Sequence, residues 1–273
     1  MLRTGSLVFF IGLAALPPAH AGEGGLLKAE LKPAALAAFD AYMRAAEARL
    51  RYDEHGGFLW LDGSPERKRQ ARTGKALAEP WTAQGEIAVP GGLIHDWVGG
   101  VFIPGATLEK TILLAENYDN NKNVYKPEVV DSKLLSRNGD DFKVFLRLLK
   151  KKVLSVTLNT NYDVRYIRLA PNRWRADAYS TRIAEVANSG ERNERELPPG
   201  QDHGFMWRLN SFWRYEERDG GVYVECEAIS LSRDVPSGLG WLISPIIRNV
   251  PKESLVNLLN ATRQALVVRP AAR

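Results

Sequence analysis

Apolar positions follow one period before residue 91 and another after it. In residues 30–51, Leu36, Phe39, Tyr42, Met43, Ala46 and Leu50 recur at steps of three and four, which predicts a helix with one apolar stripe. From Gly92 the period shortens. Residues 93–103 read as a strand, and Pro104 and Gly105 end it. Residues 107–117 return to helical spacing through Leu108, Ile112 and Ala115, and a second short helix is expected over 120–126. Six strand-like runs follow, at 128–136, 141–150, 153–169, 173–187, 204–217 and 222–233. Turn pairs at Asn138-Gly139, Pro171-Asn172 and Asp219-Gly220 are too short to join parallel strands, so the order is antiparallel.

A slip of one residue moves every side chain to the opposite face, so register can be tested on the pattern. A two-residue turn at Asp219-Gly220 sets Trp213 opposite Cys226, Leu209 opposite Ser230, Ser211 opposite Ala228 and Tyr215 opposite Val224. Arg208, Arg214, Glu216, Glu225 and Glu227 then share the reverse face, where cross-strand ion pairs are expected. At Asn138-Gly139, a three-residue loop through Asp140 pairs Val130, Ser132 and Leu134 with Leu148, Leu146 and Val144. The hairpin at Pro171-Asn172 carries charge on both faces and leaves its inward side open. Residues 237–267 place Leu239, Leu242, Ile243, Ile246, Ile247, Val250, Leu255, Leu258, Leu259 and Leu266 on one broad apolar face, a helix about 46 Å long at 1.5 Å per residue. Pro245 and Pro251 are expected to bend or split it. The sum is an α+β fold, a curved antiparallel sheet of about seven strands wrapped around a long C-terminal helix, with two short helices after the first strand.

This order over residues 92–267 resembles the START-like (SRPBCC, polyketide cyclase) helix-grip superfamily. The segments that carry the likeness are IHDWVGGVFIPG in the first strand, WRLNSFWRYEERDGGVYVECEAISLSRD in the last hairpin, and the terminal amphipathic helix. The resemblance implies a cavity between sheet and last helix that holds a lipid or another apolar ligand. It transfers no catalytic residue by position. Domain limits follow as residues 1–21, a signal peptide, 22–91, a helical and basic extension, and 92–273, the helix-grip domain.

The first segment has Arg3, an apolar run over 7–16 and Ala19-His20-Ala21 before Gly22, the layout of a secretory signal. That run is half the roughly 20 residues a spanning helix needs. The expected location is therefore periplasmic or secreted, with an uncleaved anchor as the alternative. Cys226 stands alone in VYVECEA and reads as a small buried core residue. The chain has 273 residues, 45% of them hydrophobic, and a net charge of +5, values of an ordinary globular protein. Basic clusters at Arg67, Lys68, Arg69, Arg72 and Lys75, and at Lys150, Lys151 and Lys152, suit solvated faces or contact with an anionic membrane surface. Export argues against nucleic acid as a partner.

Catalytic signatures are sparse. HExxH, CxxC and GxSxG are absent, Lys75 follows a failed phosphate-binding loop, and Gly238 and Gly240 lack the third glycine of a dinucleotide fingerprint. No metal or cofactor is expected. His95, beside Asp96 on the first strand, and His203, at the end of the polar loop 188–203, are the candidate acids or bases. Aromatic and small residues point instead to ligand binding: Trp97, Tyr162, Tyr179, Trp207, Trp213 and Ala228, with Ser132 and Ser211 as inward hydroxyls. Three functions stay open: an exported binding or carrier protein for an apolar molecule, a cyclase-like or hydrolytic enzyme on a hydrophobic substrate, and an envelope protein with a filled core.

Overall fold

The computed structural model describes residues 27–82, 85–151, 155–235 and 250–267, with the backbone alone for 52–56. The expected signal peptide, Lys152, and residues 237–249 of the expected terminal helix, with Pro245, lie outside the described residues.

Helix α1 (Pro33–Gly56) carries the stripe read from the sequence, with Phe39, Met43, Ala46 and Leu50 buried. A 3-10 turn (Trp60–Gly63) leads to α2 (Pro65–Arg72), capped by the Ser64 hydroxyl and opened by Pro65, whose missing N–H costs nothing at a first turn. Strands β1 (Leu77–Pro80) and β2 (Glu86–Val89) both pair with β3 (Gly92–Pro104). After α3 (Leu108–Glu116), a 3-10 turn (Tyr118–Asn120) and α4 (Asn121–Val124) come β4 (Val129–Asn138), β5 (Asp141–Lys151), β6 (Ser155–Ala170) and β7 (Arg173–Ala187). The short β8 (Arg195–Glu196), then β9 (Arg208–Arg218), β10 (Gly221–Ser232) and α5 (Val250–Leu266) complete the fold. Pro251 is the second described residue of α5.

The sheet runs β1-β3-β10-β9-β7-β6-β5-β4, with β2 beside β3 and β8 beside β7. Among the described residues it therefore has ten strands instead of about seven. Two of the extra strands come from residues 77–89, which the sequence reading assigned to the extension, and the third is the two-residue β8. The β9–β10 register is as read, Trp213 on Cys226 and Ser211 on Ala228, around a turn in which Asp219 and Gly220 both have positive φ. The β4–β5 register is half as read. Ser132 and Leu134 do face Leu146 and Val144, but Leu148 faces Val129 instead of Val130. The loop is a two-residue turn between Asn138 and Asp141, and register shifts between Leu134 and Ser136 and between Val129 and Asp131 absorb the difference.

Alternation along the strands gives the sheet two buried faces. On the inner face, Val101, Tyr162, Val164, Ala176 and Cys226 belong to one cluster with Leu255 and Leu259 of α5. On the outer face, Phe39, Met43 and Leu50 of α1 meet Ile94, Phe212 and Ile229, while Leu59 and Leu61 meet Phe102 and Tyr223. Adjacent glycines on β3 admit both layers. A Cβ on Gly99 would lie 2.6 Å from the Leu77 carbonyl oxygen and 3.1 Å from Leu255 and Leu259, and one on Gly100 would lie 2.9 Å from Leu61. Because a backbone atom cannot swing aside as a side chain can, Gly99→Ala is expected to cost about 1–3 kcal/mol, read as a lower urea midpoint.

Candidate functional site

Between the inner face, α3, α4 and α5 lies a cavity of about 260 Å³. Its wall is mostly carbon, from Val144, Leu146, Leu158, Val164, Leu255 and Leu258 among others. Polar groups gather toward its two ends. At one end, Tyr118 and Tyr166 share a hydroxyl hydrogen bond of 2.9 Å, and both rings lie against Phe142 at 5.6 and 5.3 Å. Burial raises the phenol pKa values there, to about 12 for Tyr162 and further for Tyr118, Tyr166 and Tyr215, so these hydroxyls stay neutral.

At the other end, the first residues of β3 pair with the last of β10, and the last of β5 also lines the cavity. His95 Nε2 is 3.0 Å from the Ser232 hydroxyl, and Ser230 stands opposite His95 in the register. Lys150 is bound to Glu128 and donates to the Ser254 hydroxyl at 2.6 Å, while Asn257 donates to Glu128 at 2.8 Å. This network ties the start of α5 to β4 and β5. Burial alone would raise the Glu128 carboxyl, but the Lys150 ammonium outweighs it and holds the pKa below the ordinary range.

Of the residues read from the sequence, Tyr162, Ser211, Trp213, Ala228 and His95 line this cavity. Trp213 stacks parallel to Tyr215 and donates to Ser211 at 3.2 Å, which fixes that wall. The others lie elsewhere. Tyr179 is on the outer face, edge-on to Phe212 and donating to Glu47 at 3.1 Å, because its register partner is the outward Asn210. Trp207 precedes the first residue of β9, where strand alternation does not apply, and joins the outer cluster with its indole on Asp202. Trp97 faces inward but sits beside Gly85 and 6.0 Å from the Lys252 amine, outside the cavity wall. Ser132 is buried with its hydroxyl accepting from the Lys122 N–H at 2.9 Å, so it anchors α4. His203 is held by Glu185, 2.5 Å from Nδ1, and is not part of the wall.

The site also contains residues the sequence reading passed over. Ser230 and Ser232 follow Ala228 at steps of two on the same face, a signal that was available. Tyr118 and Tyr125 come from a 3-10 turn and the end of α4, whose inward direction no local pattern shows. In the basic segment read from the sequence, four residues are paired: Arg67 with Glu79, Lys68 with Asp62, Arg69 with Glu66 and Arg72 with Asp219.

An unclosed antiparallel sheet holding its last helix against the inner face defines the architecture. It is a helix-grip fold. No family model and no curated protein matches the chain. Among solved structures, it is similar to the STAR-related lipid transfer protein of Xanthomonas axonopodis, at 15% identity over 69% of this chain and 98% of that one, with a TM-score of 0.46. It is also similar to a START superfamily protein of Mycobacterium smegmatis, at 12% identity over 63% and 97%, TM-score 0.41. A third is the lipid transfer and protein localization domain of human StarD13, at 7% identity over 76% and 97%, TM-score 0.43.

Proposed function

We propose that the protein binds and carries, or sequesters, a lipid or other apolar small molecule in the cavity under α5, and that it does so outside the cytoplasm. The cavity itself carries the reading. Close-packed interiors leave few voids larger than a water molecule, whereas this one has about 260 Å³ inside a wall dominated by carbon. Uncharged phenols at one end and hydroxyls and His95 at the other offer hydrogen bonds to a ligand. Support for export is the Arg3, apolar 7–16 and Ala19-His20-Ala21 sequence.

One experiment addresses both parts. The full chain is expressed, recovered from the periplasm and weighed by native mass spectrometry, then extracted with organic solvent. A mature chain beginning at Gly22 and a co-purifying apolar molecule are expected. Ala228 lies on the cavity wall opposite Ser211. Ala228→Trp fills that space, and is expected to abolish ligand retention while the far-ultraviolet circular dichroism stays unchanged. Retention equal to wild type in a folded Ala228→Trp protein would overturn the cavity as the binding place.

A further inference from the structure

The His95 end of the cavity holds a constellation that carriage alone does not use. His95 and Ser232 are each 3% exposed, face inward from neighbouring strands, and bring Nε2 to 3.0 Å from the hydroxyl oxygen. On the other side of His95, the β2–β3 register places Glu86 directly opposite it. Directly opposite residues share a face with Cβ atoms about 5 Å apart. Hydroxyl, imidazole and carboxylate therefore stand on three adjacent strands, β10, β3 and β2, and the first two lie in the wall of an apolar cavity.

We infer that this is an acyl-transfer site, with Ser232 as nucleophile, His95 as general base and Glu86 as a positioning residue, acting on carboxylic esters with an apolar acyl chain. The inference rests on the cavity as the place where that chain is held. Nucleophile, base and orienting carboxylate in this order are what serine acyl transfer requires. In the resting arrangement the Ser232 hydroxyl donates to the Arg233 carbonyl at 3.1 Å, so it rotates toward Nε2 before reaction. The Ser232 oxygen then attacks the ester carbonyl carbon as its proton passes to His95. Collapse breaks the bond to the alcohol oxygen, and His95 returns the proton to that leaving group. Water, deprotonated by the same imidazole, cleaves the acyl-serine ester, releasing the carboxylic acid and restoring Ser232. Glu86 holds the ring and offsets the charge of the imidazolium in both steps. Ser230, opposite His95 on the same wall, supplies a further hydroxyl donor near the reacting carbonyl.

The test uses the purified mature chain, p-nitrophenyl esters from acetate to decanoate, and an alkyl fluorophosphonate with peptide mass mapping. Uptake of 8-anilinonaphthalene-1-sulfonate is measured by fluorescence in parallel. Hydrolysis that improves with chain length and a covalent adduct on Ser232 are expected. Ser232→Ala and His95→Ala are each expected to lower kcat/KM by about 100-fold or more, a loss far larger than any change in dye uptake. Glu86→Gln is expected to lose about tenfold and Glu86→Asp to recover part of it, a rescue that a packing role would not give. Dye uptake with no adduct on Ser232, or hydrolysis unchanged in Ser232→Ala, would overturn acyl transfer and leave the carrier reading standing. Absence of dye uptake together with absence of hydrolysis in the wild type would overturn both.

Discussion

Replacing Arg214 by methionine is expected to destabilise the protein by about 3–5 kcal/mol, the range for breaking one partner out of a buried ionic network. Arg214 is buried on the outer face, beneath the segment that runs from α1 to the 3-10 turn. Its two terminal nitrogens donate to the Phe58 carbonyl at 2.8 Å and the Leu50 carbonyl at 3.2 Å. Glu225, its cross-strand partner, completes the attachment by accepting from the Trp60 and Leu61 N–H groups at 2.8 and 2.7 Å. Methionine fills similar space but takes from the Phe58 carbonyl its donor and from the Leu50 carbonyl, at the end of α1, its second one, and removes a positive charge that faces Glu225. Urea unfolding at pH 7 measures the loss. In a double mutant cycle, Arg214→Met with Glu225→Gln is expected to cost less than the sum of the two single changes, because the second removes the acid the first strands. A loss under about 1 kcal/mol for Arg214→Met would show that α1 is held by its apolar stripe alone.

The same network shows what a sequence can disclose. Asp219-Gly220 is a turn with one strongly preferred geometry, and it fixed the faces of β9 and β10 residue by residue. Arg214, Glu225 and Glu227 were correctly separated from Ser211, Trp213 and Ala228 on that basis alone. What those charges do was not legible, because Arg214 and Glu225 bind backbone groups of residues 50–61 and Glu227 binds the Arg49 side chain, all more than 150 positions away. Around β4 and β5, register shifts on either side of Ser132 and Leu134 undid the register at the ends while leaving its middle correct. Bulges add a residue without any apolar mark. Tyr179 lies on the other face for a similar reason: the β6–β7 register slips between Arg168 and Ala170, between the turn and Tyr179, and charged residues occupy both sides of that hairpin. The four-residue strands β1 and β2 were missed since so few positions show no period, yet β2 brings Glu86 beside His95. Of the cavity wall, Ser211, Trp213 and Ala228 could be read from strand alternation, whereas Tyr162 lies on the hairpin whose inward side the pattern leaves open. The phenols from α4 and its preceding turn required the folded chain.

Stability is expected to fall as pH rises from about 5 to about 8, opposite to the usual behaviour of a protein with paired carboxylates. Three acids beneath α1 and the 3-10 turn after it are responsible. Burial raises Glu225 from the ordinary 4.5 to about 7, Glu227 to about 8, with the nearby Asp96 adding to the second, and Asp96 from 3.8 to about 6. The opposing groups are too few: Arg49 binds Glu227, Arg214 lies across from Glu225, and Tyr42 donates to Asp96 at 2.7 Å without bringing charge. An acid whose pKa is higher folded than unfolded binds its proton more tightly in the native state. Its contribution is therefore complete below the unfolded pKa near 4 and is lost as pH climbs to the folded one. Glu225 alone gives a loss of about 3 kcal/mol between pH 4.5 and 7, at 1.4 kcal/mol per pH unit. Acids held below their ordinary range, chiefly the half-buried Glu128 on Lys150, act in the opposite sense and lose their contribution only below about pH 4. The two trends meet in a maximum near pH 5. Urea midpoints measured from pH 4 to 9 should trace it, and Glu227→Gln, which keeps the shape of the side chain but has no proton to lose, should flatten the alkaline limb. A wild-type profile that is level or rising between pH 5 and 8 would mean that water reaches these carboxyls beneath α1. In that case the outer layer is held by Phe39, Met43 and Leu50 against the sheet, and α1 is free to lift without breaking an ionic seal.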